Sequence, residues 1–191
     1  MGKGRLEAFS DGVFAVIITI MVLELKVPHD SAWTALGPLV PAMLTYVLSF
    51  VFVGIYWNNH HHMLHATDSV NGRVLWANLH LLFWLSLVPF VTGWMGENHF
   101  AAIPTAGYGV VLLMAGVAFM LLESAIIRHQ GAHSKLKAAV GNDIKGKLSA
   151  GLYAVAIPMA FVNERLSDAI YVAVALIWFV PDRRIEARVN H

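Results

Sequence analysis

The sequence predicts an all-α integral membrane protein with six transmembrane helices per chain. Three observations carry this. The 191 residues are 58% hydrophobic and only 13% charged, against about a quarter charged in soluble domains. The apolar residues fall into six runs separated by polar connections, and six spans of ~20 residues use almost all of this length. Lys and Arg also concentrate on one side of a six-span topology.

The first run is Arg5–Lys26, RLEAFSDGVFAVIITIMVLELK, in which Gly12–Leu23 is apolar or small except for Thr19. It is long and lacks a small-residue cleavage site, so it reads as a mature span rather than a signal peptide. Arg5, Glu7, Ser10 and Asp11 sit at or inside its first turns. An ionisable group at membrane depth is costly and persists mainly where it faces protein or water. At ~100° per residue, Arg5, Phe9, Gly12, Val16, Thr19, Ile20 and Leu23 share one face, while Ser10 and Asp11 point roughly to the other. Polar groups on that side need partners on neighbouring helices.

Val27–Pro28–His29–Asp30 ends the first helix. The second run is Leu36–Leu64, with Pro38 and Pro41 near its start, where Pro is tolerated. It ends in a polar cluster of Trp57, Asn58, Asn59, His60, His61, His62 and His65. The third, Val74–Met95, contains Asn78, His80 and Pro89. The fourth, Thr105–Ile127, carries Gly107, Gly109 and Gly116, small residues that let helices approach in a bilayer. Arg128–Lys147 is hydrophilic and basic. The fifth run, Leu148–Val162, holds Pro158 and alternatively starts near Ile144; the sixth is Ala169–Val180, or Leu166–Val180 at its longer extent, and these last two alternatively form a tight hairpin.

In this topology one side holds Lys3, Arg5, Arg73, Arg128, Lys135, Lys137, Lys145, Lys147, Arg183, Arg184 and Arg188; the other holds Lys26 and Arg165. That asymmetry places both termini in the cytoplasm and describes a multi-pass protein of the cell membrane, in one domain over residues 1–191. There is no cysteine, so thiol chemistry is excluded. No internal repeat, nucleotide-binding loop or nucleic-acid surface is evident, and no enzyme is expected: no nucleophile, base and acid lie together away from the helix ends. His61 and His65 have the spacing of a helix-borne metal pair, but the cluster has no Asp, Glu or Cys to complete a site. Hydrogen bonding is the favoured role, and no metal or cofactor is expected.

Arg5-xxx-Phe9-Ser10-Asp11 resembles the RxxxFSD signature that opens the first helix of the transmembrane protein 175 family. These are potassium channels of prokaryotic membranes and of endosomes and lysosomes. The match continues through Gly12–Pro28, and similar polar residues follow on the next two helices. The animal members carry two six-helix repeats per chain; this sequence has room for one. The resemblance implies a homotetramer whose first helices surround a central pore for the permeant ion, K+. It implies constrictions at Val16 and, one turn beyond Thr19, at Leu23. Ile20 lies between them on the lining face, and Thr19 contributes to potassium preference. The family usually has Ile or Leu where Val16 stands, so this constriction is expected to be looser. No TVGYG segment exists, so a carbonyl filter is not available; preference must come from side chains and pore width.

The resemblance further implies a polar network that anchors the pore helix. Arg5, Phe9, Ser10 and Asp11 would meet partners among the His60–His62 cluster, Trp57, Asn78 and His80, with His61, His62, Asn78 and His80 as the principal candidates. Three rivals remain at this point. A secondary transporter would show broken helices and a charged midplane site. An intramembrane enzyme would need a reactive constellation, and a non-conducting assembly protein would need neither.

Overall fold

The structure, a computed structural model, describes residues 2–131, 134–141 and 143–179. Arg183, Arg184 and Arg188, and with them part of the expected charge asymmetry, lie outside the described residues.

Eight α-helices appear among the described residues: α1 (Lys3–Leu23), α2 (Val40–His65), α3 (Gly72–Ser86), α4 (Val88–Glu97), α5 (Ala102–Gln130), α6 (Lys135–Val140), α7 (Ile144–Met159) and α8 (Glu164–Phe179). A 3-10 segment, Trp33–Leu39, leads into α2 and contains Pro38. Among the described residues, four stretches are long and apolar enough to cross a bilayer: Lys3–Leu23, Trp33–His65, Gly72–Glu97 and Ala102–Gln130. The last two apolar runs form helices of 16 residues each, about 24 Å at 1.5 Å per residue, against a hydrocarbon core of ~30 Å.

The third run is not one continuous helix. It is interrupted at Leu87, between α3 and α4. Pro89 supplies the cause, since its nitrogen has no hydrogen and its ring crowds the carbonyl four residues back. Leu87 N–H bonds to Trp84 O in a tighter turn instead. The basic connection after α5 contains a further short helix, α6, capped by the Ser134 side chain on Lys137 N. Apolar periodicity did not reveal it, because six residues, KLKAAV, are too few to establish a helical period.

Hydrogen bonds between chain-distant groups define the two ends of the bundle. At one end, Lys3 Nζ donates to His65 O (3.3 Å), Gln130 Nε2 to Ala66 O (3.2 Å), and His129 contacts Ser69 and Asn71 (3.0 Å each). At the other, Lys26 pairs with Glu97 at 2.7 Å, and Tyr171 donates to Thr105 O (3.0 Å). The Glu97 hydrogen bond, more than its charge, raises the Lys26 pKa above the ordinary lysine value.

α5 is the central element, packed against α3, α4, α7 and α8. Its buried residues include Tyr108, Leu112, Leu122 and Ile126. α1 sits at the flank against α2, α3 and α4. Between these layers, Ser49, Thr92 and Tyr108 form a buried hydroxyl chain: Thr92 donates to Ser49 Oγ at 2.6 Å, and Ser49 meets the Tyr108 hydroxyl at 3.0 Å.

Candidate functional site

α1 has two faces of different character. Leu6, Ser10, Phe14, Ile17 and Met21 are buried against the bundle, the spacing of one helical stripe. Arg5, Phe9, Gly12, Val16, Thr19, Ile20 and Leu23 are all exposed in the protomer. Val16 is 54% exposed, Ile20 41% and Leu23 80%. A large apolar surface on one side of a flank helix must meet lipid or protein.

Thr19 Oγ1 donates to the carbonyl of Val16 at 2.9 Å. This bond uses the hydroxyl hydrogen on the helix's own backbone. The oxygen lone pairs are what remains to face outward, and these accept rather than donate.

Ser10 and Asp11 part company. The sequence put both on the side opposite the stripe, but only Ser10 is buried, at 0% exposure, while Asp11 is exposed. Successive helical residues differ by ~100°, and the packed face takes the small hydroxyl rather than the carboxylate. Asp11 Oδ1 instead accepts from Trp57 Nε1 at 3.0 Å on the surface between α1 and α2.

Ser10 belongs to a buried chain across three helices. Its hydroxyl donates to Leu6 O at 2.8 Å and accepts from Asn78 Nδ2 at 3.0 Å. Asn78 Oδ1 meets His60 Nε2 at 2.7 Å. An amide oxygen only accepts, so Nε2 carries the hydrogen and His60 is the donor. Phe14 packs on the His60 ring with centroids 5.6 Å apart. Ser10, Asn78 and His60 are each at most 1% exposed, so every bond in this chain replaces one that water cannot supply.

The other candidate partners lie elsewhere. His61 is exposed and joins a ladder of rings on α2, with Trp57 at 6.3 Å, His65 at 6.1 Å and His62 at 5.5 Å. His62 is half-buried. His80 accepts from Trp84 Nε1 at 3.0 Å within α3 and does not join the α1 chain. Arg5 and Phe9 stay on the uncovered face, and Arg5 makes no ion pair among the described residues; the charged pair of that turn is Lys3 with Glu7 at 4.0 Å. Taking His61 and His62 as the principal candidates passed over His60, which the expected cluster also contained. His60 shares a helix face with the fully buried Val53, seven residues before it, and Leu64, four after it, a phase that only the packing of α2 reveals.

Comparison with known proteins bears directly on α1 to α4. The family model described as the endosomal/lysosomal potassium channel TMEM175 matches residues 5–89. A potassium channel of Chryseobacterium sp. (strain P1-3) is 54% identical over 186 residues, covering 97% of each chain.

The chain belongs to the TMEM175 family. A potassium channel of Streptomyces collinus is 32% identical and covers 92% of this chain and 91% of its own. Among solved structures, the crystal structure of a lysosomal potassium-selective channel TMEM175 homolog from Chamaesiphon minutus superposes with a TM-score of 0.81. It is 29% identical and covers 94% of this chain and 97% of that one. The all-helical arrangement is thus a TMEM175 channel fold, and residues 5–89 run from the signature Arg5 through Pro89 at the α3–α4 break.

Proposed function

We propose that this TMEM175-family chain is a potassium channel that conducts passively through a pore on the axis of a homotetramer. Its relatives' names, as potassium channels, support the ion. One observation supports the path: α1 buries Ser10 of its signature on the packed side and leaves Val16, Thr19, Ile20 and Leu23 uncovered. A single α1 cannot enclose a pore, so copies must meet on an axis, and closed cyclic symmetry is the usual arrangement. The aliphatic pair Val16 and Leu23 forms the constrictions, where narrow apolar rings gate by dewetting. Thr19 offers the ion a ring of hydroxyl oxygens between them.

In this reading α7 and α8 span the bilayer as a hairpin. That brings the count to six and puts both termini in the cytoplasm of a multi-pass cell-membrane protein. The break at Leu87 favours one other reading, a secondary transporter with a discontinuous helix.

Purified protein in liposomes under a potassium gradient separates the two. Unitary currents are expected; saturable coupled flux in their place would support the transporter. Thr19→Ala should shift the potassium-to-sodium preference by about 1 kcal/mol or less, the scale of one neutral oxygen contact. An unchanged reversal potential under mixed ions would remove Thr19 from the path.

A further inference from the structure

A cavity of about 570 Å³ lies between α2, α5, α7 and the end of α8, near the end of the bundle where α1 begins. No residue of α1 lines it, so it is separate from the conduction path. Its size is in the range of small-molecule sites, which are mostly apolar with a few placed polar groups. Phe52, Phe119, Met120 and Tyr153 supply apolar and aromatic wall.

Donors such as Lys145 and Tyr153 line it beside two acceptors of interest, Glu123 and Asn59. Glu123 lines the cavity half-buried and makes no hydrogen bond or ion pair among the described residues. Asn59 spends its Nδ2 on Ile55 O at 2.8 Å, which leaves its carbonyl oxygen to accept. Asp143 is already engaged, since its side chain caps α7 through Gly146 N at 3.0 Å. The Lys145 ammonium sits 6.0 Å from the centre of the Trp178 ring, and the charges of Asp143 and Lys147 act on Glu123 in opposite senses.

We propose that this cavity binds an amphipathic organic cation, with its ammonium on Glu123 and its apolar body against Phe52, Phe119 and Tyr153. A carboxylate in a mostly apolar cavity is costly without a cationic or donor partner. Aromatic faces add attraction for an ammonium within ~6 Å. An anionic lipid would bring like charge to Glu123, and a neutral donor would leave its charge uncompensated.

The full-length protein in lipid nanodiscs, titrated calorimetrically with 4-phenylbutylamine, tests this, with empty nanodiscs as the blank. The same-shaped 4-phenylbutanol and 4-phenylbutyrate serve as comparisons. The amine should bind saturably and about tenfold or more tighter than the alcohol, the margin of one charge-assisted hydrogen bond. Glu123→Gln should bring the amine down to the alcohol's affinity and leave the alcohol unchanged. Ala150→Phe, which adds a ring to the cavity wall, should abolish binding of both.

Equal affinity for amine, alcohol and acid overturns the assignment, as does tighter binding of the acid. Wild-type amine affinity in Glu123→Gln or in Ala150→Phe overturns it too. Should either variant fail to assemble, the ligand series on the wild-type protein still decides the matter.

Discussion

Asn78 is the residue on which the α1 anchor turns. It receives His60 on one side and gives to Ser10 on the other, with all three shielded from solvent. Asn78→Ala leaves a buried ring donor and a buried hydroxyl without their partners. Such an orphaned group costs ~1–3 kcal/mol, so a clear drop in melting temperature in detergent is expected. A melting temperature equal to wild type would remove this chain as an anchor of α1. Trp57→Phe should be milder, because Asp11 and Trp57 are both exposed and can exchange their bond for another. The two halves of the FSD signature thus differ in kind: Ser10 acts through a dry network and Asp11 through a surface bond.

At the scale of elements, close packing of α4 on α2 sets the end of the bundle where Lys26 pairs with Glu97. A Cβ built on Gly96 would lie 2.6 Å from Thr45 Oγ1 and 2.8 Å from the Ala42 Cα. Backbone cannot yield as a side chain can, so Gly96→Ala must push α4 away from α2. Overpacking of this kind costs ~1–3 kcal/mol. Gly116 is the control on α5, because there the nearest atom is the Tyr56 hydroxyl at 3.6 Å, an ordinary contact. Gly116→Ala should therefore melt at or slightly above the wild-type temperature. If both variants melted alike, helix approach at Gly96 would not be what limits that substitution. Gly109 resembles Gly96 rather than Gly116, since a Cβ there would run into the Tyr171 hydroxyl and lie 3.0 Å from Ile157 Cγ1.

On the scale of the whole molecule, the question is what covers the free face of α1. The absence of cysteine from the chain makes single-cysteine variants clean reporters. Val16→Cys, on the proposed lining, should lose potassium flux on treatment with a cationic methanethiosulfonate reagent. Phe83→Cys, at a position on α3 that is 55% exposed, should keep its flux under the same treatment. Native mass spectrometry should find a four-chain particle in both. Insensitivity at Val16, or equal sensitivity at the two positions, would place the stripe against lipid.

Much of the architecture was legible from local pattern alone. Helical phase is a property of neighbouring residues, so the set from Arg5 to Leu23 could be placed on one face without knowing any partner, and the structure leaves that whole set uncovered. Apolar length marked six runs, of which four stand among the described residues as helices long and apolar enough to span, and the RxxxFSD residues pointed to the family. What remained hidden depends on contacts between residues far apart in the chain. Which histidine of the run on α2 enters the bundle, why Asp11 turns outward while Ser10 turns in, and how a half-buried Glu123 comes to line an aromatic cavity are all decided by the neighbours that α3, α5 and α7 bring. A helix carries its own periodicity, but burial and hydrogen-bond partners exist only once other helices stand beside it.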